Sequence, residues 1–310
     1  MLSRVADSLY WMSRYMERTD GILRMLRINY ASSQDDQQNF SWKPVLSIFT
    51  YLDKDRATTI AHQSRAVLQY MVTDKDNTNS VLNIVTLARE NARSVQDHIT
   101  KELWQCLNDF YHTIRDEQVV IGLYADDPIS TLDVLVRQGL LYYGITDITM
   151  ARGEGYAFLN IGKFIERGVQ SADILDVRFS DLQLDLIRTD PSYWKYLLLS
   201  ISGFEYYLKT YRSGFEVHNV VEQIVLSANF PRSILYSISR LQLHFQRLKG
   251  DGNREAFQRI DFLIGKIYSK VRYSTVDSIL QQGLHSYLIA IKEELYEVGI
   301  ALNQHYFAYS

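Results

Sequence analysis

Leu2, Val5, Leu9, Met12, Met16, Thr19, Leu23, Leu26 and Tyr30 recur in alternating steps of three and four. That period predicts one apolar stripe on a helix of about eight turns, ending at the polar run from Ser32 to Asn39. Further helix starts are marked by caps and prolines. Asp127-Pro128 and Asp190-Pro191 each read as an N-cap followed by the first helical residue. Ser41 can cap a helix that has Pro44 in its first turn, and Pro231 is placed at another start. Roughly ten helices follow from these signals. The strongest strand candidate is Gln118 to Tyr124, but one short run cannot make a sheet. The expected fold class is all-α, a helical bundle.

The pattern recurs. Placing Glu17-Arg18 on Glu166-Arg167 puts Leu9 on Phe158, Met12 on Ile161, Met16 on Ile165, Leu23 on Ala172 and Leu26 on Leu175. Three later stretches match in the same order. They are those from Trp42 and Trp194, from Asn79 and Arg232, and from Arg137 and Gln281. The order suggests one domain over 1–310 that is internally duplicated, with pseudo-repeats at approximately 1–150 and 151–310. Such repeats can pack about a pseudo-two-fold axis, so the two Glu-Arg pairs are expected to face each other near it.

Composition narrows the picture. Hydrophobic residues make up 46% and charged residues 22% of 310, enough for a packed core. Four prolines and fifteen glycines favour long helices over a turn-rich β fold. The net charge of -3 lacks the basic excess of a nucleic-acid-binding surface. A single cysteine, Cys106, excludes an intrachain disulfide and a thiolate metal cluster, and its helical surroundings point to a buried structural thiol. The charged opening segment is no signal peptide, and no stretch reaches the ~20 apolar residues of a spanning helix. A cytoplasmic chain with no membrane association is expected.

Candidate chemistry concentrates in charged cassettes. Arg4, Asp7, Trp11, Arg14 and Arg18 form a second stripe on the first helix, and Glu17 lies one turn from Arg14. Lys163, Glu166 and Arg167 repeat the arrangement. Arginine forks beside an aromatic suit an anionic ligand, and they suit a buried structural network equally well. Arg89, Glu90 and Arg93 form a further set with one-turn spacing. Arg232 is placed at a helix start, where unpaired backbone donors attract anions. Metal and catalytic templates fail: there is no His-Glu-x-x-His, no Glu-x-x-His, no Gly-x-Ser-x-Gly and no glycine-rich phosphate loop. The seven histidines are scattered, and no cofactor is indicated.

The opening "MLSRVADSLYWMSRYMERTD" resembles the signature of the bacterial alpha-E family, as do "LARENARSVQDHITKELWQCLN", "GEGYAFLNIGKFIERGVQSADIL" and "FPRSI". The likeness covers essentially the whole chain. Its Glu-Arg signature falls on Glu17-Arg18 and Glu166-Arg167, and its Arg-Glu-Asn-x-Arg on Arg89, Glu90, Asn91 and Arg93. Lys163 stands where the family commonly has Arg. The resemblance implies an all-helical protein. It also implies company: a circularly permuted ATP-grasp protein as partner, and a transglutaminase-like protein nearby. The expected function is therefore a partner or substrate-presenting component of a pathway forming peptide or amide bonds. Two alternatives stand beside it. One is an enzyme using Glu17 or Glu166 as acid/base on an anionic substrate; the other is a purely structural scaffold.

Overall fold

The apolar stripe of the first helix is carried into the core almost position for position. In the computed structural model, Val5, Leu9, Met12, Met16, Thr19, Leu23, Leu26 and Tyr30 are all buried. Leu2 is the exception, 62% exposed. It precedes the helix, which begins at Ser3. The structure describes residues 1–35, 40–49, 54–125, 127–181, 191–212, 214–250 and 254–307.

Among the described residues there are sixteen α-helices and no strand. They are α1 (Ser3–Asp35), α2 (Lys43–Phe49), α3 (Lys54–Ile60), α4 (Ser64–Val72), α5 (Val81–Ser94), α6 (Lys101–Arg115), α7 (Glu117–Tyr124) and α8 (Pro128–Thr149). The series continues with α9 (Glu154–Asp181), α10 (Pro191–Ser200), α11 (Phe204–Thr210), α12 (Val217–Val221), α13 (Ile234–Phe245), α14 (Arg254–Arg272), α15 (Val276–Gln282) and α16 (Leu284–Leu302). The count exceeds the expected ten because α2, α3, α11, α12 and α15 have seven residues or fewer. Two turns are too few to print a period on the sequence. Short π-helical turns extend α12 over Glu222–Leu226 and α16 over Asn303–Phe307.

The chain divides into two compact units, Trp11–Ala151 and Met1–Tyr10 with Arg152–Ser310. In the first, α5 packs on α6, and α6 and α7 pack on α8. In the second, α9 is the hub, with α13 and α16 against it and α14 against both of those. Phe158, Ile161, Ile165, Ala172 and Leu175, the positions matched to the α1 stripe, are all buried.

The caps explain most boundaries. Asp127 accepts from the Ile129 amide ahead of Pro128, and Ser41 from the Lys43 amide with Pro44 next in the turn. Pro191 opens α10; its expected cap, Asp190, lies outside the described residues. Pro231 does not start a helix. It stands in the turn before α13, whose N-cap is Ser233, accepting from the Tyr236 amide at 2.9 Å. The strand candidate Gln118 to Tyr124 is helical, because Asp116 caps α7 by accepting from the Gln118 amide at 2.7 Å. A Cβ at Gly122 would stand 2.2 Å from Thr131 Oγ1, so a larger residue there would force the Thr131 side chain to move. The matched stretches from Arg137 and Gln281 also differ. Gly139 lies inside α8, whereas Gly283 breaks the chain between α15 and α16 at a φ of 98°, which favours glycine.

Candidate functional site

Glu17 is fully buried, although it sits in the charged cassette of α1. Tyr143 of α8 donates its hydroxyl to Glu17 Oε2 at 2.5 Å. One turn on, Asp20 is equally buried and accepts from Arg24 Nε at 2.9 Å. Burial works to lower the Arg24 pKa, but Asp20, then Tyr143 and Glu17, raise it above its ordinary value. Arg24 thus compensates the buried Asp20 charge directly and feels Tyr143 and Glu17 at longer range. Gly139 of α8 leaves space beside the Asp20 side chain.

The arginines of this cassette contact different groups. Arg14 is buried with its guanidinium 4.8 Å from the Trp11 ring centroid, a cation–π contact. Arg18 donates to Asn79 Oδ1 at 3.4 Å. Arg89, Glu90 and Arg93 do form one cluster. Arg89 Nη1 and Arg93 Nη2 hold the two oxygens of Glu90 at 2.8 and 2.6 Å. Arg89 is pinned further by Asn108 Oδ1 at 2.9 Å and by the rings of Tyr111 and Trp104 on α6. Arg93 is open to solvent, so its half of the cluster adds little stability.

In the second unit, Glu166 and Arg167 are buried as well. Arg167 donates to the Pro231 carbonyl at 3.3 Å and lies 5.3 Å from the Phe164 ring centroid, which Lys163 also approaches at 5.2 Å. Ser171 donates to the Arg232 carbonyl at 2.8 Å. The cassette of α9 therefore clamps the Pro231–Arg232 turn. Arg232 itself precedes the N-cap of α13, Ser233, which accepts from the Tyr236 amide.

Further along α9, Asp173 pairs with Lys292 Nζ at 2.5 Å and Asp176 with His285 Nδ1 at 2.6 Å, both partners coming from α16. Burial pushes the Asp173 pKa up. Lys292 counters it, while Glu166 and Asp176 add to it.

Several participants carry no local signal in the sequence. Tyr143, Asn79, Asn108 and Phe164 are ordinary residues until the fold delivers them. His244, on α13, is stacked on Phe164 and buried. A cavity of about 280 Å³ in the second unit, lined by Ala6, Glu154, Phe158, Leu248, His305 and Tyr306, was also unmarked. Cys106 meets its expectation: it is buried, and burial pushes its thiol up to about 12, which makes it a poor nucleophile. Among the described residues no group of three His, Cys, Asp or Glu could hold a metal ion, and no helix is long and apolar enough to cross a membrane.

The chain is similar to the uncharacterized proteins Mb2597 of Mycobacterium bovis and Rv2567 of Mycobacterium tuberculosis. Each is 24% identical over 277 residues, covering 83% of this chain and 31% of the relative. The chain thus spans about a third of the length of these curated relatives. No solved structure gives a significant match. Residues 1–307 match the model of Alpha-E, described as "a predicted alpha-helical domain with a conserved ER motif". Glu17-Arg18 and Glu166-Arg167 are Glu-Arg pairs of that kind, and the chain belongs to the Alpha-E family.

Proposed function

We propose that the chain is a non-catalytic, partner-binding module that presents an acidic or peptide substrate to a circularly permuted ATP-grasp protein. A transglutaminase-like protein would act in the same peptide- or amide-forming pathway. The observation that carries this reading is the relatives' architecture. A domain that makes up 31% of a longer chain is built to work beside other segments. The cytoplasm, where ATP is supplied, is the matching location.

The buried glutamates support the non-catalytic part. A general acid or base must come within hydrogen-bond reach of its substrate. Glu17 is 0% and Glu166 2% exposed, and Glu17 is already occupied by Tyr143. In this reading the Glu-Arg pairs are internal fastenings that hold the outer surfaces in register.

Co-purification with a circularly permuted ATP-grasp protein of the same organism tests the proposal. The expected result is a stable complex and a changed rate of ATP turnover. No complex, together with unchanged turnover, overturns it. Glu17→Gln and Glu166→Gln separate the rival readings: lowered melting with the turnover effect retained by folded protein supports a fastening. An activity lost at unchanged melting supports an acid/base.

A further inference from the structure

Helix α8 lies wholly in the first unit and is apolar on two faces. One face is buried and carries Leu132, Leu135, Gly139 and Tyr142. The other is open. Ser130, Val134, Arg137, Leu141, Gly144 and Ile148 follow one another in alternating steps of four and three, and all six are exposed. Leu141 is 50% and Ile148 84% exposed, and Leu140 borders the same stripe. That spacing is the seam of a coiled coil, whose side chains meet a second helix. A helix that is apolar all round is one that a protein covers on every side.

Gly144 is an independent sign on the same face. It sits inside a helix of 22 residues, where every residue but proline is a better helix former than glycine. The chain's own packing gives no reason for it. A Cβ at Gly144 would meet no described atom within 4 Å. The missing side chain leaves a shallow hole in the seam, open to a side chain from outside.

The face is complementary to itself. The knob that fits the Gly144 hole, Leu141, stands one turn away on the same stripe. An antiparallel second copy can set its Leu141 over this Gly144 while its own Gly144 receives this Leu141. In that register Arg137 lies against Ile148 of the second copy and beside its Asp147, both of them exposed in this chain. A parallel pair would instead set Arg137 against Arg137, like charge on like. Every contact of the antiparallel register occurs twice about a two-fold axis, which is the condition for an isologous interface. A foreign helix would need only one member of each pair on this face, whereas α8 carries the knob and the hole, the cation and the acid.

We propose that the exposed face of α8 from Arg137 to Ile148 is a homodimer seam, on which two copies of the chain pair antiparallel with Leu141 of each seated over Gly144 of the other. A single helix pair covers less than the roughly 800 Å² per partner of a standard interface, so the dimer is a weak one that dissociates in the micromolar range. The seam does not depend on the ATP-grasp partnership and is tested on the chain alone.

Sedimentation equilibrium of the full chain, from about 1 to about 200 µM, is the direct test and needs no substitution. The expected result is a reversible monomer–dimer equilibrium. Leu141→Glu should weaken the dimer at least tenfold, with circular-dichroism melting showing that the variant folds. Gly144→Leu should weaken it as much by filling the hole. At the lowest concentration it should also raise the melting temperature, because leucine is the better helix former and the site has room for it. A fold defect cannot produce that combination of looser association and a firmer monomer. Phe262→Ser removes an exposed aromatic from α14 and should leave the dissociation constant unchanged. A chain that stays monomeric at every concentration assigns the face to another partner and overturns the proposal. Parental association in either α8 variant, or a dimer lost in Phe262→Ser, overturns it as well.

Discussion

The polar faces of α1 and α9 handle buried charge with opposite polarity. On α1, the acids Glu17 and Asp20 are answered by Arg24 of the same helix and Tyr143 of α8, and Arg27 reaches Asp133 on α8. On α9, the acids Asp173 and Asp176 are answered by Lys292 and His285 of α16. Under the alignment of Glu17 with Glu166, Arg24 and Arg27 fall on Asp173 and Asp176. The positions that carry cations on α1 carry carboxylates on α9: Arg27 meets Asp133 of α8 and Asp173 meets Lys292 of α16, whereas Arg24 is answered by Asp20 of its own helix and Asp176 by the imidazole of His285. The difference teaches that these positions require a compensated pair, while the sign of each member is a local choice. The Glu-Arg pair keeps its order on both helices, so a constraint beyond pairing acts on it. The clamp of Arg167 on the Pro231 carbonyl is one such constraint.

Removing a charge where the helix supplies both members tests the comparison most severely. Asp20→Ala leaves the Arg24 guanidinium without its principal partner, and the expected loss is about 3–5 kcal/mol in urea unfolding, the usual cost of breaking a buried pair. A loss below 1 kcal/mol would show that Glu17 and Tyr143 suffice. The next effect depends on pH. The His244 pKa is about 4 in the folded chain and ordinary in the unfolded one. The unfolded state therefore takes up a proton first as pH falls, and stability is lost between about pH 6.5 and 4 and unaffected by this group above that window. The full loss is about 3 kcal/mol at 1.36 kcal/mol per pKa unit. His244→Phe should be less sensitive to acid by that amount in unfolding measured at pH 7.5 and at pH 4.5, and equal sensitivity would refute the assignment. On α9 the corresponding removal should be milder. Lys292→Met leaves Asp173, whose pKa is already raised by burial, free to protonate, so about 1–2 kcal/mol is expected. A cost equal to that of Asp20→Ala would erase the contrast between the two faces.

Helix class and core were legible because they are local. Val5, Leu9, Met12 and Met16 declare their face by spacing alone, and Asp127 and Ser41 declare a start through the backbone N–H groups they accept. The Gln118–Tyr124 segment misled because its β-branched residues suit strands, while Asp116 and packing on α8 decided otherwise. The site was legible only as a set of charged residues. Whether Glu17 would be buried depended on Tyr143, 126 positions away, and the role of Phe164 depended on α13. Arg18 and Arg14 stand at four-residue spacing, and only the fold shows that Asn79 meets the one and Trp11 the other. Partners that arrive through tertiary packing leave no period on the chain.

The smallest effect tests the comparison most directly. Arg27 and Asp133 are 39% and 34% exposed, so water screens their attraction and their coupling should be about 0.5–1 kcal/mol. Arg27→Asp places two carboxylates together, and Asp133→Arg alone places two guanidinium groups together; each should destabilise by a similar amount. The double variant reproduces on α1 and α8 the polarity that α9 and α16 already use, with the acid on the hub helix and the base on its neighbour. If pairing alone is required, the double variant recovers nearly all the stability of the parent, and a double-mutant cycle from urea unfolding gives the coupling. If it stays as unstable as the sum of its singles, the polarity of α1 is imposed by its surroundings. Arg24 and the buried Asp20, one turn away, would then be the source, because a new carboxylate at position 27 would compete for the guanidinium that compensates Asp20.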